Sequence, residues 1–551
     1  MKSTKIFLRL LLPLLCFVAS GFSQNISYAN NTFYLGNSCV LGPLFIVVCS
    51  DEPTFLQIKN ESGFIYFSFN KTGSGCDTIF LDHSVYNHCV GLFTINSTNR
   101  LLIEADKNII LYEGYLYSPR EPYPTHYYFR LVPPLSLAGS SNIMTSYTKE
   151  YYDSNANINR GEYSTELFLL GIQDTSYLRI YPKWSHPLLS GNNYYSATMY
   201  PNGSYFERLY NFNNSPVFPF FYPPCIVTQD SSVSIKGKFI TRTGMWGFGS
   251  GGSTIPWGIS VGYYFYPLAY EFLGNSYHTV PHLTRAGDSL MAIAFHDNTL
   301  LSLNGSTTLL QRGDVFRTLL DSPGVWQANH PFSLVQISRH QQEDSVLYSS
   351  LFAYSVHPDS ALITSTWYTT EIVPDSTPGE QSYLNLISPT NGVAHVKLDG
   401  VSQSSFFSPY PNDTAWSYAQ IPVTSVQHKL EADSGVLAYA YQYSLGCGIG
   451  FYVGGLEMKN TVTAIQEVEN NYLNVYPNPA YHLLFIDMEE KLRTSEKLQI
   501  HIYSIDGRKV YSHLLQTKER IQVDVSTLES GLYLIEMQSK SKKYVGKFVK
   551  N

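Results

Sequence analysis

Few residue patterns in this 551-residue chain have the spacing that catalysis or cofactor binding requires. His278 and His282 stand four residues apart, as metal-binding histidines on a helix do, but Pro281 interrupts any such helix. Gly247-x-Gly249-x-x-Gly252 has the spacing of a dinucleotide-binding loop without the strand and helix that must flank it, which favours a flexible glycine loop. Paired carboxylates such as Glu343-Asp344 suit a glycosidase, although solvated loop acids explain them more simply. The sequence therefore predicts no catalytic residues, no bound metal and no cofactor.

Aromatic side chains offer another kind of chemistry, because their flat faces stack on sugars and fill hot spots in protein interfaces. The chain contains 44 Tyr, 31 Phe and 6 Trp. A glycine-rich loop is predicted from Met245 to Gly252, and its aromatic neighbours are candidate ligand contacts: Trp246, Phe248, Trp257, Tyr263 and Tyr264. The tyrosine-rich stretches around Tyr194-Tyr195 and from Tyr205 to Tyr222 are comparable. In both regions the same aromatics would also serve to fill a core between β-sandwich units.

The cysteines cluster near the start of the chain, at Cys39, Cys49, Cys76 and Cys89. In an oxidising compartment these four can form two disulfides with three alternative pairings. Free buried thiols are an alternative. A structural zinc site is a weaker one, because the close CxxC spacing of such sites is missing.

Residues 1–23 have the pattern of a cleaved secretory signal peptide, with a retained anchor as the alternative. Lys2, Lys5 and Arg9 precede an apolar run from Leu10 to Ala19, and small residues follow up to a predicted cut after Ser23. The run is shorter than the about 20 residues of a membrane span. No later stretch holds 18 apolar residues, so the mature chain is predicted to contain no membrane-spanning helix.

Composition and charge narrow the class of protein. With 44% apolar and 14% charged residues, the chain is neither a charge-rich disordered protein nor a coiled coil. A net charge of −7 argues against a nucleic-acid partner. Residues 471–551 carry twelve Lys or Arg and nine Asp or Glu, whereas residues 24–470 are strongly acidic. This change of sign predicts a domain boundary, with a polar linker at 460–471.

Short apolar runs between turn signals predict an all-β fold of tandem antiparallel β-sandwich units, followed by a small C-terminal β-sandwich. A weak repeat supports this: runs beginning at Ile103, Val325 and Leu430 each predict a strand, a polar turn and a second strand. The predicted divisions are a signal peptide at 1–23, a disulfide-containing β domain at 24–155, β-sandwich units at 156–275, 276–375 and 376–459, the linker at 460–471, and a C-terminal domain at 472–551.

The C-terminal segment resembles the C-terminal sorting domain of the type IX (Por) secretion system. The resemblance rests on Tyr476-Pro477-Asn478-Pro479, on the hairpin from Ile502 to Arg508 that contains Gly507, on Leu528 to Tyr533 with Gly531, and on a basic end that includes Lys547. It implies passage through the periplasm and the outer membrane. It also implies type IX machinery as a partner and a final location that is secreted or on the outer cell surface.

The middle of the chain resembles the N-terminal region of IgG Fc-binding protein and its bacterial relatives. The best match runs from Pro267 to Gly305, a second from His428 to Gly455, and Asn96 to Tyr147 fits more loosely. The matching motifs are turns and strand cores, so they identify fold better than function. The resemblance implies a secreted, non-catalytic surface module that binds protein or glycan.

These observations together predict an adhesin-like protein that recognises an extracellular glycoprotein or glycan. Two other hypotheses stay open from the sequence. One is a structural component of the cell surface or matrix with homotypic contacts only. The other is a divergent carbohydrate-active enzyme.

Overall fold

The computed structural model of the protein describes these residues: 26–36, 44–60, 62–81, 100–117, 126–144, 162–173, 175–182, 194–200, 204–210, 225–229, 237–248, 260–339, 352–370, 381–424, 426–444, 447–458, 475–487, 497–504, 509–516, 520–538 and 543–551. The chain divides into two compact parts, residues 1–460 and 461–551. Several sequence predictions lie outside the described residues, namely the signal peptide at 1–23, the linker at 460–471, Cys39, Cys89, Trp257 and Gly507.

The described residues of the first part form four β repeats. Repeat 1 contains β1 (Asn30–Gly36), β2 (Leu44–Ser50), β3 (Thr54–Lys59), β4 (Ile65–Lys71), β5 (Gly75–Phe80), β6 (Arg100–Tyr117) and β7 (His126–Leu131). Repeat 2 contains β8 (Ser141–Met144), β9 (Glu162–Gln173), β10 (Ser176–Pro182), β11 (Tyr195–Met199), β12 (Ser204–Tyr210), β13 (Cys225–Gln229), β14 (Lys238–Phe248) and β15 (Ser260–Phe265). Repeat 3 contains β16 (Gly274–Thr279), β17 (Asp288–Ala294), β18 (Thr299–Leu303), β19 (Ser306–Leu310), β20 (Val315–Leu320), β21 (Gly324–Ile337) and β22 (Ala353–Ser355). Repeat 4 contains β23 (Ile363–Thr369), β24 (Gln381–Pro389), β25 (Val396–Leu398), β26 (Val401–Ser402), β27 (Ser408–Tyr410), β28 (Asp413–Val423), β29 (Gln427–Ser444), β30 (Cys447–Tyr452) and β31 (Glu457–Met458). Short 3-10 helices occupy Leu135–Leu137, Tyr270–Phe272, Thr390–His395 and Ser404–Phe406.

The repeats share one strand topology, which confirms the prediction of tandem antiparallel sandwich units. Repeat 1 has the order β4-β3-β6-β2-β5, with β1 and β7 also paired to β6. Repeat 3 has the matching order β19-β18-β21-β17-β20, with β16 and β22 on β21. Repeat 4 follows the same plan around β29. In repeat 2, β13 and β14 stand where the other repeats have one long strand, and each lies in its own four-stranded sheet.

In repeats 1, 3 and 4 the long strand carries the polar segment in which the sequence predicted a turn, and that prediction was wrong. Along β1, Asn30 pairs with Ile109 but Thr32 pairs with Glu104. An advance of two residues along β1 therefore corresponds to five residues along β6. The same shift separates the pairs Gly274–Phe332 and Ser276–Gln327 in repeat 3, and Ile363–Val436 and Ser365–Glu431 in repeat 4. A bulge therefore moves one continuous strand from one sheet to the other.

Polar side chains at these bulges hold the neighbouring strand. The carboxylate of Asp106 accepts a hydrogen bond from the backbone N–H of Phe55 at 2.8 Å. In repeat 3, the side-chain oxygen of Asn329 accepts one from the N–H of Leu300 at 2.7 Å. The polar residues thus mark the crossing between sheets, where backbone donors of β3 and β18 need partners.

Repeat 1 packs against repeats 3 and 4 through buried aromatic side chains. Tyr112 donates a hydrogen bond to the carbonyl of Val453 at 2.5 Å, and its ring lies 5.2 Å from that of Phe451. Cys49 and Cys76 face each other on β2 and β5 and form a disulfide, which confirms a bridge within the predicted cysteine cluster. The backbone N–H of Cys76 donates to the side chain of Gln427 at 2.7 Å, which joins the bridged strands β2 and β5 to repeat 4.

The second part is a small β-sandwich, as predicted. Its strands are β32 (Val475–Tyr476), β33 (Leu483–Asp487), β34 (Lys497–Ser504), β35 (Lys509–Gln516), β36 (Arg520–Asp524), β37 (Gly531–Gln538) and β38 (Lys543–Lys550). They form the sheets β32-β33-β36 and β35-β34-β37-β38 around a core that includes Ile500, Ile535 and Phe548.

The exact divisions between domains stay predictions. The first strands of repeats 2, 3 and 4 begin at Ser141, Gly274 and Ile363, ahead of the predicted starts at 156, 276 and 376. Within the described residues, no helix has both the length and the apolar character needed to cross a bilayer.

Candidate functional site

The β14–β15 hairpin carries four of the five aromatic residues predicted to contact a ligand. Trp246 and Phe248 lie on β14, and Tyr263 and Tyr264 lie on β15. Met245 pairs with Tyr263, and Phe248 pairs with Ser260, so residues 249–259 connect the two strands. The fifth aromatic, Trp257, lies in that connection, outside the described residues.

The structure corrects the prediction of a flexible loop that starts at Met245. Gly247 pairs with Tyr163 of β9 on one side and with Val261 of β15 on the other, so this part of β14 is a central strand. Hydrogen bonding to two neighbours overrides the low strand preference of glycine. The dinucleotide-type glycine pattern therefore begins inside a sheet.

His278 lies on β16 between two carboxylates supplied by distant parts of the chain. Its Nδ1 is 2.9 Å from Oδ1 of Asp359, which follows β22, and its Nε2 is 3.5 Å from Oδ2 of Asp413 on β28. The ring stacks on Trp416 at 4.7 Å and meets Tyr410 edge-on at 4.7 Å. His278 is 1% exposed, so it joins repeats 3 and 4 from within.

His282 belongs to a separate buried network in the same two repeats. Its Nδ1 and its backbone N–H both contact the carboxylate of Asp288, at 2.7 Å each, and its Nε2 is 2.9 Å from the hydroxyl of Tyr354. Gln336 donates to the same carboxylate at 2.7 Å. Burial raises the pKa of Tyr354, so its hydroxyl stays protonated beside His282. We call these four residues the His282 network.

The amide of Asn385 and the hydroxyl of Tyr441 extend this network into repeat 4. Tyr441 accepts a hydrogen bond from the N–H of Leu283 at 2.8 Å and donates to Asn385 at 3.1 Å. Asn385 in turn donates to the carbonyls of Val280 and Pro281 at 3.2 Å each. The segment 280–283 is therefore fixed against repeat 4 by side-chain hydrogen bonds.

The two histidine–aspartate pairs differ in the group that the second ring nitrogen faces. A catalytic dyad directs the free histidine nitrogen at a hydroxyl or thiol nucleophile. The free nitrogen of His282 meets a tyrosine hydroxyl, and that of His278 meets a carboxylate. Within the described ranges, no three His, Cys, Asp or Glu side chains are close enough together to hold a metal ion.

Two further buried polar centres connect the repeats. Arg130 pairs with Glu113 at 2.5 Å, and Tyr266 of repeat 2 donates to Glu113 at 2.6 Å. Burial opposes the charge on Arg130, but the neighbouring Glu113 outweighs that effect and raises the pKa of the guanidinium.

His357 forms the other centre. Its Nε2 is 2.8 Å from the hydroxyl of Tyr28, and its ring stacks on Tyr452 at 3.8 Å. Burial lowers the pKa of His357 to about 3, so the ring is neutral over the physiological range.

Asp359, Asp413 and Trp416 were missed by sequence reasoning. They lie far along the chain from His278; Asp359, for example, is 81 residues away. No local pattern marks them, because the tertiary packing of repeats 3 and 4 alone brings them together.

In the second part of the chain, Asn478 links the two ends of the predicted sorting signal. Its Oδ1 accepts a hydrogen bond from the N–H of Val549 at 2.9 Å, and its Nδ2 donates to the carbonyl of Lys547 at 3.4 Å. Ala480 adds a backbone hydrogen bond to Val549 at 2.8 Å. This contact is flanked by Tyr476, Pro477 and Pro479. On β37, Gly531 pairs with Lys550 of β38. The side chain of Lys547 is exposed.

Comparison with known proteins identifies two regions. Residues 266–442 match the family described as IgGFc binding protein, and residues 474–551 match the family described as Secretion system C-terminal sorting domain. No curated protein matches the chain.

Two solved structures show a distant likeness. A biofilm associated protein BSP domain is 9% identical, with 75% of this chain and 81% of that chain covered and a TM-score of 0.14. The CBM51-2 and INT domains of Clostridium perfringens ZmpB are 8% identical, with 57% of this chain and 89% of that chain covered and a TM-score of 0.11. TM-scores this low establish no common fold.

The sorting domain assigns the chain to export by type IX secretion, to the cell surface or outside. The first matched range covers repeat 3 and ends at residue 442, within β29 of repeat 4, and the second covers the small C-terminal sandwich. The chain thus contains one region similar to the family described as IgGFc binding protein and a second region that matches the family described as Secretion system C-terminal sorting domain.

Proposed function

We propose that this chain is a non-catalytic, adhesin-like protein that binds an extracellular glycoprotein or glycan. In this proposal the signal peptide at 1–23 directs the first step of export, and type IX secretion delivers the protein to its place of action. The observation that carries the binding role is the β14–β15 hairpin. It places Trp246, Phe248, Tyr263 and Tyr264 on two paired strands that residues 249–259 connect.

Aromatic side chains on a rigid hairpin suit such a role. Rings provide a large contact area with little entropy to lose, and they stack on sugars or anchor protein interfaces. Because β14 pairs on both sides, its backbone is held in place before any ligand binds.

The buried histidine networks support a role without catalysis. The polar atoms of His282 and Asp288 are satisfied by scaffold groups, and both side chains are sealed from solvent. A group that must exchange protons with a substrate needs access to it. The networks are therefore suited to holding repeats 3 and 4 together.

The test compares binding of the full-length oxidised protein and its variants to immobilised mucin, a glycan panel and IgG Fc. Trp246→Ala and Tyr263→Ala are expected to weaken binding at least about 10-fold at an unchanged melting temperature, because a buried aromatic contact contributes about 2 kcal/mol or more. Phe406→Ala is the matched control, since Phe406 is 52% exposed and lies on repeat 4.

Three outcomes would contradict the proposal. Unchanged binding by both hairpin variants would remove the site, and a collapsed melting temperature would assign the rings to the core. Hydrolysis of a polysaccharide by the purified protein would replace binding with catalysis.

A further inference from the structure

Cationic and aromatic side chains alternate across the surface where repeat 2 meets repeat 3. The guanidinium of Arg179 lies 4.8 Å from the ring centre of Tyr194, which is 5.2 Å from the ring of Tyr181. The guanidinium of Arg312 lies 5.1 Å over Tyr181 from the other repeat. With the nearby histidines, these residues form what we call the cationic stripe: Arg179, Tyr194, Tyr181, Arg312, His296 and His330.

The strands set this alternation. Arg179 and Tyr181 are two residues apart on β10 and therefore share one face of the sheet. Tyr194 directly precedes β11, the strand that pairs with β10. Arg312 lies in the turn between β19 and β20, and its backbone N–H donates to Asp297 at 3.0 Å, which fixes that turn.

The two histidines form the repeat 3 end of the stripe. The rings of His296 and His330 are 5.1 Å apart. Nε2 of His296 is 2.7 Å from the hydroxyl of Tyr270. Partial burial and the neighbouring His330 and Arg312 lower the pKa of His296, while Asp297 opposes them. Positive charge at this end is therefore only partly compensated.

Arg312 and His330 have spare hydrogen-bonding capacity. Among the described residues, neither the guanidinium of Arg312 nor the ring of His330 takes part in a side-chain hydrogen bond or an ion pair, and both side chains reach solvent. The net charge of the chain is −7, so a group of only partly compensated cations at one place stands out from the rest of the sequence. Such a site attracts anions.

We propose that the cationic stripe binds the acidic group of a glycan, a carboxylate or a sulfate ester on a sugar chain. This inference rests on the proposed glycan-binding function and names its ligand class. Guanidinium groups bind carboxylates and sulfates through paired, charge-assisted hydrogen bonds. The tyrosine rings between the guanidinium groups offer flat faces on which sugar rings stack. The alternation of cations and rings therefore matches a sugar chain in which acidic groups alternate with uncharged ring faces.

Protons enter the binding equilibrium through His296. His296 faces His330, Arg312, Asp297 and Tyr270, and at pH 7 its lowered pKa keeps it neutral. A bound anion favours the protonated ring, so binding takes up a proton. Affinity for a sulfated glycan, whose charge does not change in this range, is therefore expected to rise as the pH falls from 7.5 to 5.5.

The experiment measures binding of the full-length oxidised protein to heparin, sialylated mucin, desialylated mucin and dextran at both pH values. Arg312→Ala is expected to lose about 10- to 100-fold affinity for the acidic probes, as expected for a charged hydrogen-bonding pair. His296→Ala is expected to remove the rise at pH 5.5. Lys397→Ala is the matched control, because Lys397 is an exposed cation on repeat 4.

The heparin and sialylated-mucin arms identify the sulfate or the carboxylate as the preferred group. If Arg312→Ala binds the acidic probes as well as the parent, or if Lys397→Ala loses as much, the stripe is not the site. Retained binding to desialylated mucin in that case leaves the proposed function standing. A parent protein that binds none of these probes overturns the inference, and its binding to IgG Fc and to the glycan panel then decides whether the proposed function stands.

Discussion

The His282 network and the repeat 3 end of the cationic stripe both contain histidines of repeat 3, yet these histidines differ in their burial and in their hydrogen-bond partners. In the network, His282 and Asp288 are sealed from solvent and bonded on all sides by scaffold groups. In the stripe, His296 and His330 reach solvent, and Arg312 faces an aromatic ring rather than a carboxylate. Only 14 residues of sequence separate His282 from His296.

Desolvation explains the difference. A buried charge costs several kcal/mol unless its partners are in place, so it persists only within a complete network. An exposed charge costs little, and it can remain without a partner until a ligand arrives. A buried group whose hydrogen-bond partners are all in place therefore indicates a structural role. An exposed charged group without such partners indicates a ligand-binding role.

Removal of Asp288 is the strongest way to break the network. Asp288→Ala leaves the N–H and Nδ1 of His282 and the amide of Gln336 without their shared acceptor. We expect a loss of about 3–5 kcal/mol in the free energy of unfolding, measured with urea. Asp321→Ala, at an exposed aspartate of the same repeat, is expected to change it by less than about 0.5 kcal/mol. Equal effects would show that Asp288 is not a structural centre.

The Cys49–Cys76 bridge extends the comparison to repeat 1, where the scaffold is held covalently. It closes a segment with a sequence separation of 27. Replacing both cysteines with alanine is expected to cost about 3 kcal/mol of unfolding free energy through the freed chain entropy. Binding to heparin should be unchanged at temperatures where the variant is folded, because the stripe lies on repeats 2 and 3. Lost heparin binding by the folded variant would tie the stripe to repeat 1.

The sequence predicted the scaffold better than the sites. The related runs at Ile103, Val325 and Leu430 predicted repeated sandwiches, and the structure shows the same bulge in all three. The predicted turns were wrong, because a local pattern reveals polar residues but not the hydrogen bonds of the strands beside them. Strand continuity at Asp106 depends on β3, which is some 50 residues away along the chain.

The binding surfaces were predicted only in part. Glycine and aromatic residues marked the β14–β15 hairpin, whereas nothing in the sequence joins Tyr181 to Arg312. Their contact depends on how repeats 2 and 3 pack. Side-chain burial decides whether a histidine such as His282 has a structural role or can contact a ligand. Neither property has a local sequence signal.

The pH dependence of the free energy of unfolding offers a test on His357, a buried histidine with a structural role. Its pKa is about 3 in the folded protein and about 6.5 in an unfolded chain, so below pH 6.5 only the unfolded state takes up the proton. Stability from this group is therefore complete above pH 6.5 and falls by about 1.4 kcal/mol for each pH unit below it. His357→Gln should flatten the urea-unfolding profile between pH 7.5 and 5.0. Parallel profiles for the parent and the variant would show that His357 is not buried as a neutral ring.

The smallest effect on stability is expected in the stripe itself. Arg312→Ala and His330→Ala remove side chains without ion-pair partners among the described residues, so each should change the free energy of unfolding by less than about 0.5 kcal/mol. Loss of positive charge beside His296 should also bring the pKa of that ring closer to its ordinary value, which NMR titration of its ring protons measures. A destabilisation comparable to that of Asp288→Ala would place Arg312 in the scaffold and erase the distinction. Near-zero changes in stability, combined with lost affinity for heparin, would establish that repeat 3 holds one set of histidines for folding and another for ligand binding.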